Sequence, residues 1–316
     1  MADVVVVGAG LSGVVCAREL VTAGHRVVVH DRGRRPGGRM ALRRHGERVV
    51  DIGASYFTTR SDAFAAVVED WRDRGLARPW TDTFSVWSPD GTEPKPGPVR
   101  WAAPGGLRSL VEDLAEGLDV RSADPVEQVR TDGGVRVDGT ACDAVVLAVP
   151  DPQARRLLDP SSPAHEALDD PYEPALALTA GWDRRTWPDV DGWFVDGHPD
   201  LGWVADDGRR RGDDAPVLVA HSTADRARQH LGGPDGAAEP LLQALREVVP
   251  VPDGPPTLVH VQRWTYARPA HGHEAPFHLD ETGVGACGDS WGTSSSVETA
   301  FLSGRALGQE LAARLT

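Results

Sequence analysis

Lysine is almost absent from this chain of 316 residues, because Lys95 is the only one and arginine supplies the other basic residues. Basic residues are also in deficit: 33 Lys and Arg stand against 47 Asp and Glu, and the formal charge is -14. Acidic and basic residues are interspersed, so the sequence offers no basic surface for nucleic acid or for an anionic membrane. These deficits favour a soluble protein with a small-molecule partner.

Cysteines are few, and no apolar run is long. Cys16, Cys142 and Cys287 make an odd count without metal-ligand spacing, which is typical of reduced thiols in the cytoplasm. No segment approaches the ~20 apolar residues of a membrane span, and the apolar N-terminus lacks the basic region of a signal peptide. We therefore expect a cytoplasmic protein with no membrane or nucleic-acid partner.

The first strand, turn and helix carry the clearest motif. Four valines at residues 4–7 predict a buried parallel strand, and apolar residues at helical spacing follow. Between them, Gly8 permits a tight turn, Gly10 lets the backbone approach a phosphate, and Gly13 lets the helix lie close to the strand. A second predicted strand ends at Asp31, whose carboxylate suits ribose hydroxyls. This pattern predicts a dinucleotide site and leaves NAD and FAD both open.

The rest of the chain shows two kinds of strand. Uncharged runs at residues 144–149 and 283–287 are similar to the first strand and predict a shared parallel sheet, whereas alternating, tryptophan-rich strands between about 161 and 278 predict an antiparallel sheet. We expect an α/β fold with an α+β second domain. The predicted Rossmann-type cofactor domain is discontinuous, comprising residues 1–58, 99–160 and 279–316. Residues 59–98 and 161–278 form the predicted substrate domain.

A basic, glycine-rich loop follows Asp31. Its arginines could be merely solvated; alternatively, Gly37 and Gly38 bring the backbone near a phosphate, and Arg39 adds a charged donor fork.

Metal and acyl-transfer chemistry are not predicted. His271, His273 and His278 stand in a Pro/Gly-rich segment without acidic or cysteine ligands at site spacing, so we expect no metal and a loop near the site entrance. Ser55 and the serines at 294–296 show no nucleophile-elbow pattern, and turns or contacts to cofactor oxygens explain them better.

Further motifs complete an ordered set. The set comprises Gly8-Ala9-Gly10-Leu11-Ser12-Gly13, Asp31, Gly37-Gly38-Arg39, Asp51-Ile52-Gly53-Ala54 with Tyr56-Phe57, Cys287-Gly288-Asp289 and Val297-Glu298-Thr299-Ala300. In order and spacing it resembles FAD-dependent oxidoreductases of the amine oxidase superfamily. Residues 201–205, 263–267 and 287–291 are most similar to its renalase branch. Thr299 departs from the family pattern, in which glycine is commoner.

The resemblance implies a p-hydroxybenzoate hydroxylase-like fold and non-covalent FAD. It implies that the glycine turn binds the pyrophosphate, Asp31 the adenosine ribose and Val126 backbone the adenine. Arg39 would support the diphosphate and flavin side, Asp289 would bind a ribityl hydroxyl, and the helix beginning at Val297-Glu298 would face the flavin pyrimidine edge. The full predicted cofactor set is Gly8, Gly10, Leu11, Ser12, Gly13, Asp31, Arg32, Gly38, Arg39, Met40, Gly53, Ala54, Val126, Gly288, Asp289, Val297 and Glu298.

The implied chemistry is hydride removal from a small substrate to the flavin. Amine oxidases of this superfamily commonly use a lysine near the flavin, but Lys95 lies in the proline-rich segment 93–98, where we expect an exposed loop. The resemblance therefore favours a renalase-like oxidation of dihydronicotinamide rings, which become aromatic on losing hydride and need no general base. O2 is the expected acceptor.

The substrate pocket is expected to be aromatic. Its predicted walls are Tyr56, Trp203, Trp264, Tyr266 and Trp291, which suit a flat ring, although any one tryptophan could equally pack in the core. The chemistry is expected at the flavin, and no catalytic side chain is predicted. Two alternatives stay open: an amine oxidase or desaturase acting on another small metabolite, and a non-redox binding protein on the same fold.

Overall fold

The two strand patterns of the sequence become two separate large sheets in the computed structural model, which describes residues 1–316. The strands are β1 (Asp3–Val7), β2 (Arg26–Asp31), β3 (Leu42–His45), β4 (Arg48–Asp51), β5 (Arg78–Ser88), β6 (Gly91–Ala102), β7 (Asp119–Ser122), β8 (Val129–Arg130), β9 (Arg136–Val137), β10 (Thr140–Ala141), β11 (Ala144–Leu147), β12 (Tyr172–Gly181), β13 (Gly192–Val195), β14 (Leu201–Asp206), β15 (Val217–Ser222), β16 (Leu258–Pro269), β17 (His278–Leu279) and β18 (Val284–Ala286). The helices are α1 (Leu11–Thr22), α2 (Asp62–Asp73), α3 (Arg108–Ala115), α4 (Asp151–Ala154), α5 (Pro163–Ala167), α6 (Asp207–Arg211), α7 (Ala224–Gln229), α8 (Ala238–Val248) and α9 (Val297–Arg314).

The uncharged runs of the sequence lie in β1, β11 and β18 of a six-stranded sheet, whose order is β17-β18-β11-β1-β2-β7. β1 lies between β2 and β11, and both pairings are parallel, with Val6 opposite Val29 and Val146. Apolar clusters cover both faces of this sheet, which is why residues 4–7 and 144–147 of its two central strands carry no charge. The predicted parallel sheet of Rossmann type is confirmed.

Helix α9 returns the C-terminal part of the chain to the glycine turn. It packs directly on α1, and a Cβ built on Gly304 would lie 2.1 Å from the Ser12 carbonyl oxygen. Only glycine permits this approach of two helix backbones. The contact places the middle of α9, from the opposite end of the sequence, beside the first turn of α1.

The alternating strands form a seven-stranded sheet in the order β16-β12-β15-β14-β13-β5-β6. All neighbours are antiparallel except β13 and β5. Leu178 and Leu218 pack with α8 on one face, whereas Ala177 and Val219 lie on the other face with Trp264. The predicted antiparallel sheet is confirmed, and α8 covers one of its faces.

The proline-rich segment is strand, not loop. Residues 91–102 form β6, and Lys95 is exposed on it, opposite Phe84 of β5. β6 is the edge of its sheet, where proline's missing N–H costs least and where charge and proline deter further pairing. The prediction that this segment is a loop was therefore wrong, whereas Lys95 is exposed as expected.

Two predicted domain boundaries fall within strands. The boundary at residue 99 lies inside β6, and the boundary at residue 279 lies inside β17, which pairs with β18 in the parallel sheet. The division into domains stays a prediction. None of the nine helices combines the length and apolarity needed to cross a membrane.

Candidate functional site

A cavity of about 2230 Å³ has walls from both large sheets. The parallel sheet contributes the glycine turn after β1 and Asp31 at the end of β2, and the antiparallel sheet contributes β14, β15 and β16. The carboxyl ends of the parallel strands therefore meet the uncovered face of the second sheet, where α/β folds commonly bind ligands.

The glycine turn opens directly onto this cavity. Gly8 has φ of +108°, and Gly10, the residue before α1, provides no side-chain cap. The first turn of α1 contains no acidic residue. A Cβ built on Gly38 would lie 3.2 Å from the Gly10 Cα, so two glycine segments face each other closely. The first amide groups of α1 are thus available to an anion.

Asp31 is held in place by backbone amides. Its Oδ2 accepts from Ala9 N at 2.6 Å, and its Oδ1 accepts from Gly33 N at 2.6 Å. The carboxylate therefore lies beside the glycine turn in a defined orientation, where it still has lone pairs for a ligand hydroxyl.

Arg39 and Asp289 form a two-bonded ion pair across 250 residues of sequence. Arg39 Nη1 lies 3.0 Å from Asp289 Oδ2 and also donates to the Ala267 carbonyl at 3.2 Å, while Ser295 Oγ donates to Asp289 at 2.6 Å. Burial alone would lower the pKa of Arg39, but Asp289 and the Tyr172 ring beside it raise that pKa overall. The pair joins three chain segments at the cavity wall.

Four of the five predicted pocket aromatics line the cavity, namely Tyr56, Trp203, Trp264 and Tyr266. The two tryptophans are fixed by hydrogen bonds: Trp203 Nε1 donates to Ser55 Oγ at 3.0 Å, and Trp264 Nε1 donates to the Ile52 carbonyl at 2.7 Å. The segment between β4 and α2 thus holds aromatic side chains from two strands of the other sheet.

Trp291 does not line this cavity. It is 5% exposed and stacks on His273, with ring centroids 3.8 Å apart, among apolar side chains that include Val145 and Leu147. His273 Nε2 lies 2.6 Å from Asp151 Oδ2, and this carboxylate raises the pKa of His273 although burial opposes it. The backbone after β18 turns the Trp291 side chain under the parallel sheet, so the expectation that it forms a pocket wall was wrong.

The N-terminus of α9 reaches the cavity, but Glu298 turns away from it. Ser296 caps the helix, and Val297 lines the cavity. Glu298 Oε1 accepts from Arg60 N at 3.0 Å, Ser61 N at 2.7 Å and Ser61 Oγ at 2.6 Å. Burial would raise the pKa of Glu298, but these donors lower it overall. Glu298 therefore fastens α9 to the start of α2.

Most of the predicted cofactor residues border the cavity: Gly8, Gly10, Leu11, Ser12, Asp31, Arg32, Gly38, Arg39, Met40, Gly53, Ala54, Val126, Asp289 and Val297. Gly13, Gly288 and Glu298 do not. Gly13 acts through packing instead, because a Cβ there would lie 2.0 Å from the Gly8 carbonyl oxygen. Direct contacts of these residues with a cofactor stay a prediction.

Sequence reasoning missed His221, which lies opposite Trp203 on the neighbouring strand and lines the cavity. Burial, aided by Arg210, lowers its pKa to about 4, and its Nε2 has no hydrogen-bond partner. The signal was present in the alternation of β15, since Leu218 packs under the sheet while Val219 and His221 share the other face.

A buried ionic cluster beneath the aromatic wall was also missed. Asp207 and Arg210 are fully buried; Asp207 binds Arg48 at 2.5 Å, Arg210, and Arg211 at 3.3 Å. Arg211 also reaches Asp51 at 3.1 Å. Burial would raise the pKa of Asp207, but the three arginines lower it overall. No sequence signal distinguishes this Asp-Gly-Arg-Arg-Arg run from a solvated turn.

Comparison with known proteins shows which families and relatives this chain is similar to. Residues 73–311 match the family described as flavin containing amine oxidoreductase, and residues 6–71 match the NAD(P)-binding Rossmann-like domain. The chain is 47% identical over 74 residues to phytoene dehydrogenase of Streptomyces griseus, covering 22% of this chain and 15% of that protein. It is 46% identical over 61 residues to lysine-specific histone demethylase 1 homolog 1 of Arabidopsis thaliana, covering 18% and 7%. The chain thus aligns with less than a sixth of either relative.

Solved structures agree over nearly the whole chain. A putrescine oxidase redesigned for cofactor binding superposes with a TM-score of 0.75 at 17% identity, covering 99% of both chains. An oxidoreductase from Methanosarcina mazei gives 0.72 at 15% identity, covering 96% of this chain and 99% of the other. At these identities the likeness establishes the fold.

Proposed function

The chain belongs to the flavin-containing amine oxidoreductase family, and we propose that it is an FAD-dependent oxidoreductase that removes a hydride from a small, flat substrate. The observation that carries this proposal is one cavity bordered by the open end of α1 and by the tethered side chains Trp203 and Trp264. Such a cavity provides an anion site and an aromatic wall along one extended ligand.

The residues present fit FAD. Gly10 and Gly38 keep Cβ atoms out of the passage beside the open α1 amides, which suits a diphosphate. Asp31 suits a ribose, and Asp289 could exchange part of its bonding to Arg39 for a polyol hydroxyl. None of the three cysteines lines the cavity, which supports a non-covalent cofactor, and all three are unpaired, which supports a reducing, cytoplasmic setting.

When bound, FAD supplies a hydride acceptor at its N5 atom. The protein supplies position: Trp203 and Trp264 are held by hydrogen bonds before any substrate arrives, so their rings are preorganised walls that exclude water. The N-terminus of α9, where Val297 lines the cavity, favours negative charge on the group it faces.

We further propose a renalase-like substrate, a dihydronicotinamide ring, with O2 as acceptor. The support is the lack of a lysine in the cavity wall, since Lys95 is exposed on the edge strand β6. His221 is neutral at pH 7, because its pKa lies near 4, and it could contact the ring without adding charge. A dihydropyridine becomes aromatic on losing hydride, so it needs no general base.

Anaerobic mixing of the purified, FAD-loaded protein with 2- or 6-dihydronicotinamide dinucleotide tests this proposal. We expect rapid loss of the visible flavin absorbance, and its recovery when air is admitted. Faster reduction by amines than by either isomer would select the amine oxidase alternative. A colourless protein that cannot be reconstituted with FAD would select the non-redox binding protein.

A pair of variants tests the role of the aromatic wall. Trp264→Phe removes the hydrogen bond to the Ile52 carbonyl, and misplacement of the ring should slow flavin reduction by about 10-fold or more. Trp182→Phe is the matched control, because Trp182 is 6% exposed and packs against Trp187 on the far side of the sheet. Equal effects of the two substitutions on the reduction rate would contradict this role.

A further inference from the structure

The cavity wall is strongly cationic, although the chain is acidic overall. Eleven arginines line the cavity, against only three carboxylates, Asp31, Glu127 and Asp289. All three carboxylates lie on the cofactor half of the wall, and Asp289 is already paired with Arg39. A diphosphate accounts for arginines near the glycine turn, but it does not account for those on the antiparallel sheet.

Arg100 is the arginine of that sheet that is buried, with 6% of its surface exposed. It lies on β6, whose preceding residues from Gly91 to Val99 are all exposed. The register between β5 and β6 shifts here: Thr81 pairs with Arg100 but Thr83 pairs with Pro96, so β6 has two extra residues at this point. Bulges of this kind re-aim side chains and occur beside active sites.

The Arg100 guanidinium has no carboxylate partner within 4.0 Å. Its Nη1 donates to the Asp82 carbonyl, and its Cζ lies 4.5 Å above the Phe84 ring. These neutral contacts use only some of the N–H donors of the guanidinium, and they leave its positive charge without a negative partner. A buried, unpaired cation is costly unless an anion completes it.

Gly97, which has no side chain, leaves room for this guanidinium. A Cβ built on Gly97 would lie 2.7 Å from Arg100 Nη2 and 3.2 Å from its Cζ, so any larger residue at position 97 would displace the charged group. Phe84 in turn lies 4.8 Å from Trp203 and 5.2 Å from Tyr56, measured between ring centroids. Arg100 also opposes the rise in pKa that burial causes at Tyr56. The cation is therefore adjacent to the aromatic wall.

We propose that Arg100 binds an anionic group of the substrate, a carboxylate or a phosphate, while the ring of the substrate packs on the aromatic wall. This inference rests on the proposed function for the identity of the site, and it names the substrate class: a flat molecule with a negative charge a short distance from its ring. It excludes a simple cationic amine as the preferred substrate, because the positive wall would repel it.

Binding of two probes to the oxidised, FAD-loaded protein tests the anion site without turnover. Benzoate represents a carboxylate and inorganic phosphate a phosphate, and perturbation of the flavin spectrum or calorimetry reports binding. We expect at least one probe to bind, and Arg100→Gln to weaken it by about 10- to 100-fold, as for loss of hydrogen bonds to a charged group. Arg100→Lys should retain part of the affinity.

Matched variants separate this site from general positive charge. Arg43→Gln removes an exposed arginine of the same cavity wall and should change probe binding less than 2-fold, an order-of-magnitude expectation for a screened surface charge. Gly97→Ala keeps the charge but crowds the guanidinium, and should weaken the probe as Arg100→Gln does. Binding of benzoate alone indicates a carboxylate substrate, and binding of phosphate alone a phosphorylated one.

The proposal is overturned if neither probe binds, or if Arg100→Gln and Arg43→Gln weaken binding equally. These outcomes are independent of the hydride-transfer test, since the probes are not oxidised. If the protein binds benzoate through Arg100 but does not oxidise dihydronicotinamides, the proposed anion site stands and only the proposed dihydronicotinamide substrate is refuted.

Discussion

Asp207→Asn should be among the most destabilising single-atom changes available in this chain. The Asp207 side chain is fully buried at the start of α6 and is the common partner of Arg48, Arg210 and Arg211. Replacing the carboxylate with an amide leaves Arg210 and Arg211 with Asp51 as their remaining buried anion, and leaves Arg48 with the half-exposed Asp213. Breaking a buried ion pair by removing one partner costs about 3–5 kcal/mol.

The consequence should reach the candidate site. Arg210 donates to the backbone carbonyls of Asp51 at 3.4 Å and Ser55 at 3.3 Å, and Ser55 Oγ accepts from Trp203. Loosening the cluster therefore loosens the segment that fixes the aromatic wall. We expect weaker FAD retention together with a melting temperature lowered on the order of 10 °C for a chain of this size.

Asp213→Asn is the matched control, since it is the same substitution and Asp213 also pairs with Arg48, at 2.7 Å. Its side chain is 49% exposed, so the expected cost is only about 0–1 kcal/mol. Thermal and urea unfolding of the FAD-loaded variants measure both effects. Equal destabilisation by the two substitutions would refute the role assigned to burial, as would an Asp207→Asn protein as stable as the parent.

Three further changes test other parts of the structure. Gly13→Ala puts a Cβ 2.0 Å from a carbonyl oxygen of the glycine turn, so FAD binding and stability should both fall. A Cβ on Gly254 would meet no atom within 4 Å, so Gly254→Ala should bind FAD as the parent does, measured by the change in FAD fluorescence on mixing. Glu298→Gln weakens the bonds that α9 makes to Ser61 and should cost about 1–3 kcal/mol in urea unfolding. His221 is neutral when folded, so its contribution is present above its usual pKa of 6.5 and is lost as the pH falls towards 4; His221→Gln should flatten the stability profile in this window.

Each of these expectations can fail on its own. Retention of FAD by Gly13→Ala at the parent's affinity would show that the turn relaxes to admit a Cβ. An unchanged unfolding free energy for Glu298→Gln would show that the amide replaces the carboxylate at no cost. A stability profile between pH 6.5 and 4 that does not respond to His221→Gln would show that His221 does not set the acid sensitivity in this window. Asp207 and Glu298 cannot replace it there, because their lowered pKa values place the loss of their contributions at lower pH.

Local patterns predicted the parallel sheet well because each pattern depends on the burial and backbone geometry of its own few residues. Four valines without charge could only be a strand buried on both faces, and the glycines at 8, 10 and 13 mark a turn with close backbone contacts. The prediction for residues 93–98 failed because it used only local composition. The three prolines of this segment disfavour helices and inner strands, but an edge strand does not need the N–H groups that proline lacks.

The site was predictable only in part. Aromatic residues are easily noticed in a sequence, so Trp203 and Trp264 were proposed as pocket walls, and both line the cavity. Trp291 was proposed on the same basis, but its side chain packs in the core. His221 and Arg100 look like ordinary strand residues, and their importance follows from what surrounds them. The partner that His221 lacks and the carboxylate that Arg100 lacks are visible only when distant segments are assembled.

The sequence by itself determined that this chain has a glycine turn at the end of a buried strand, an acid after the next strand and an aromatic-rich antiparallel region, because these features depend on neighbours a few residues apart. Only the tertiary structure decided which side chains share the cavity. Gly304 brings α9 to α1, Arg39 meets Asp289, and a bulge turns Arg100 inward. Such contacts join residues far apart in the chain, and their energies come from burial and charge pairing that no local pattern encodes.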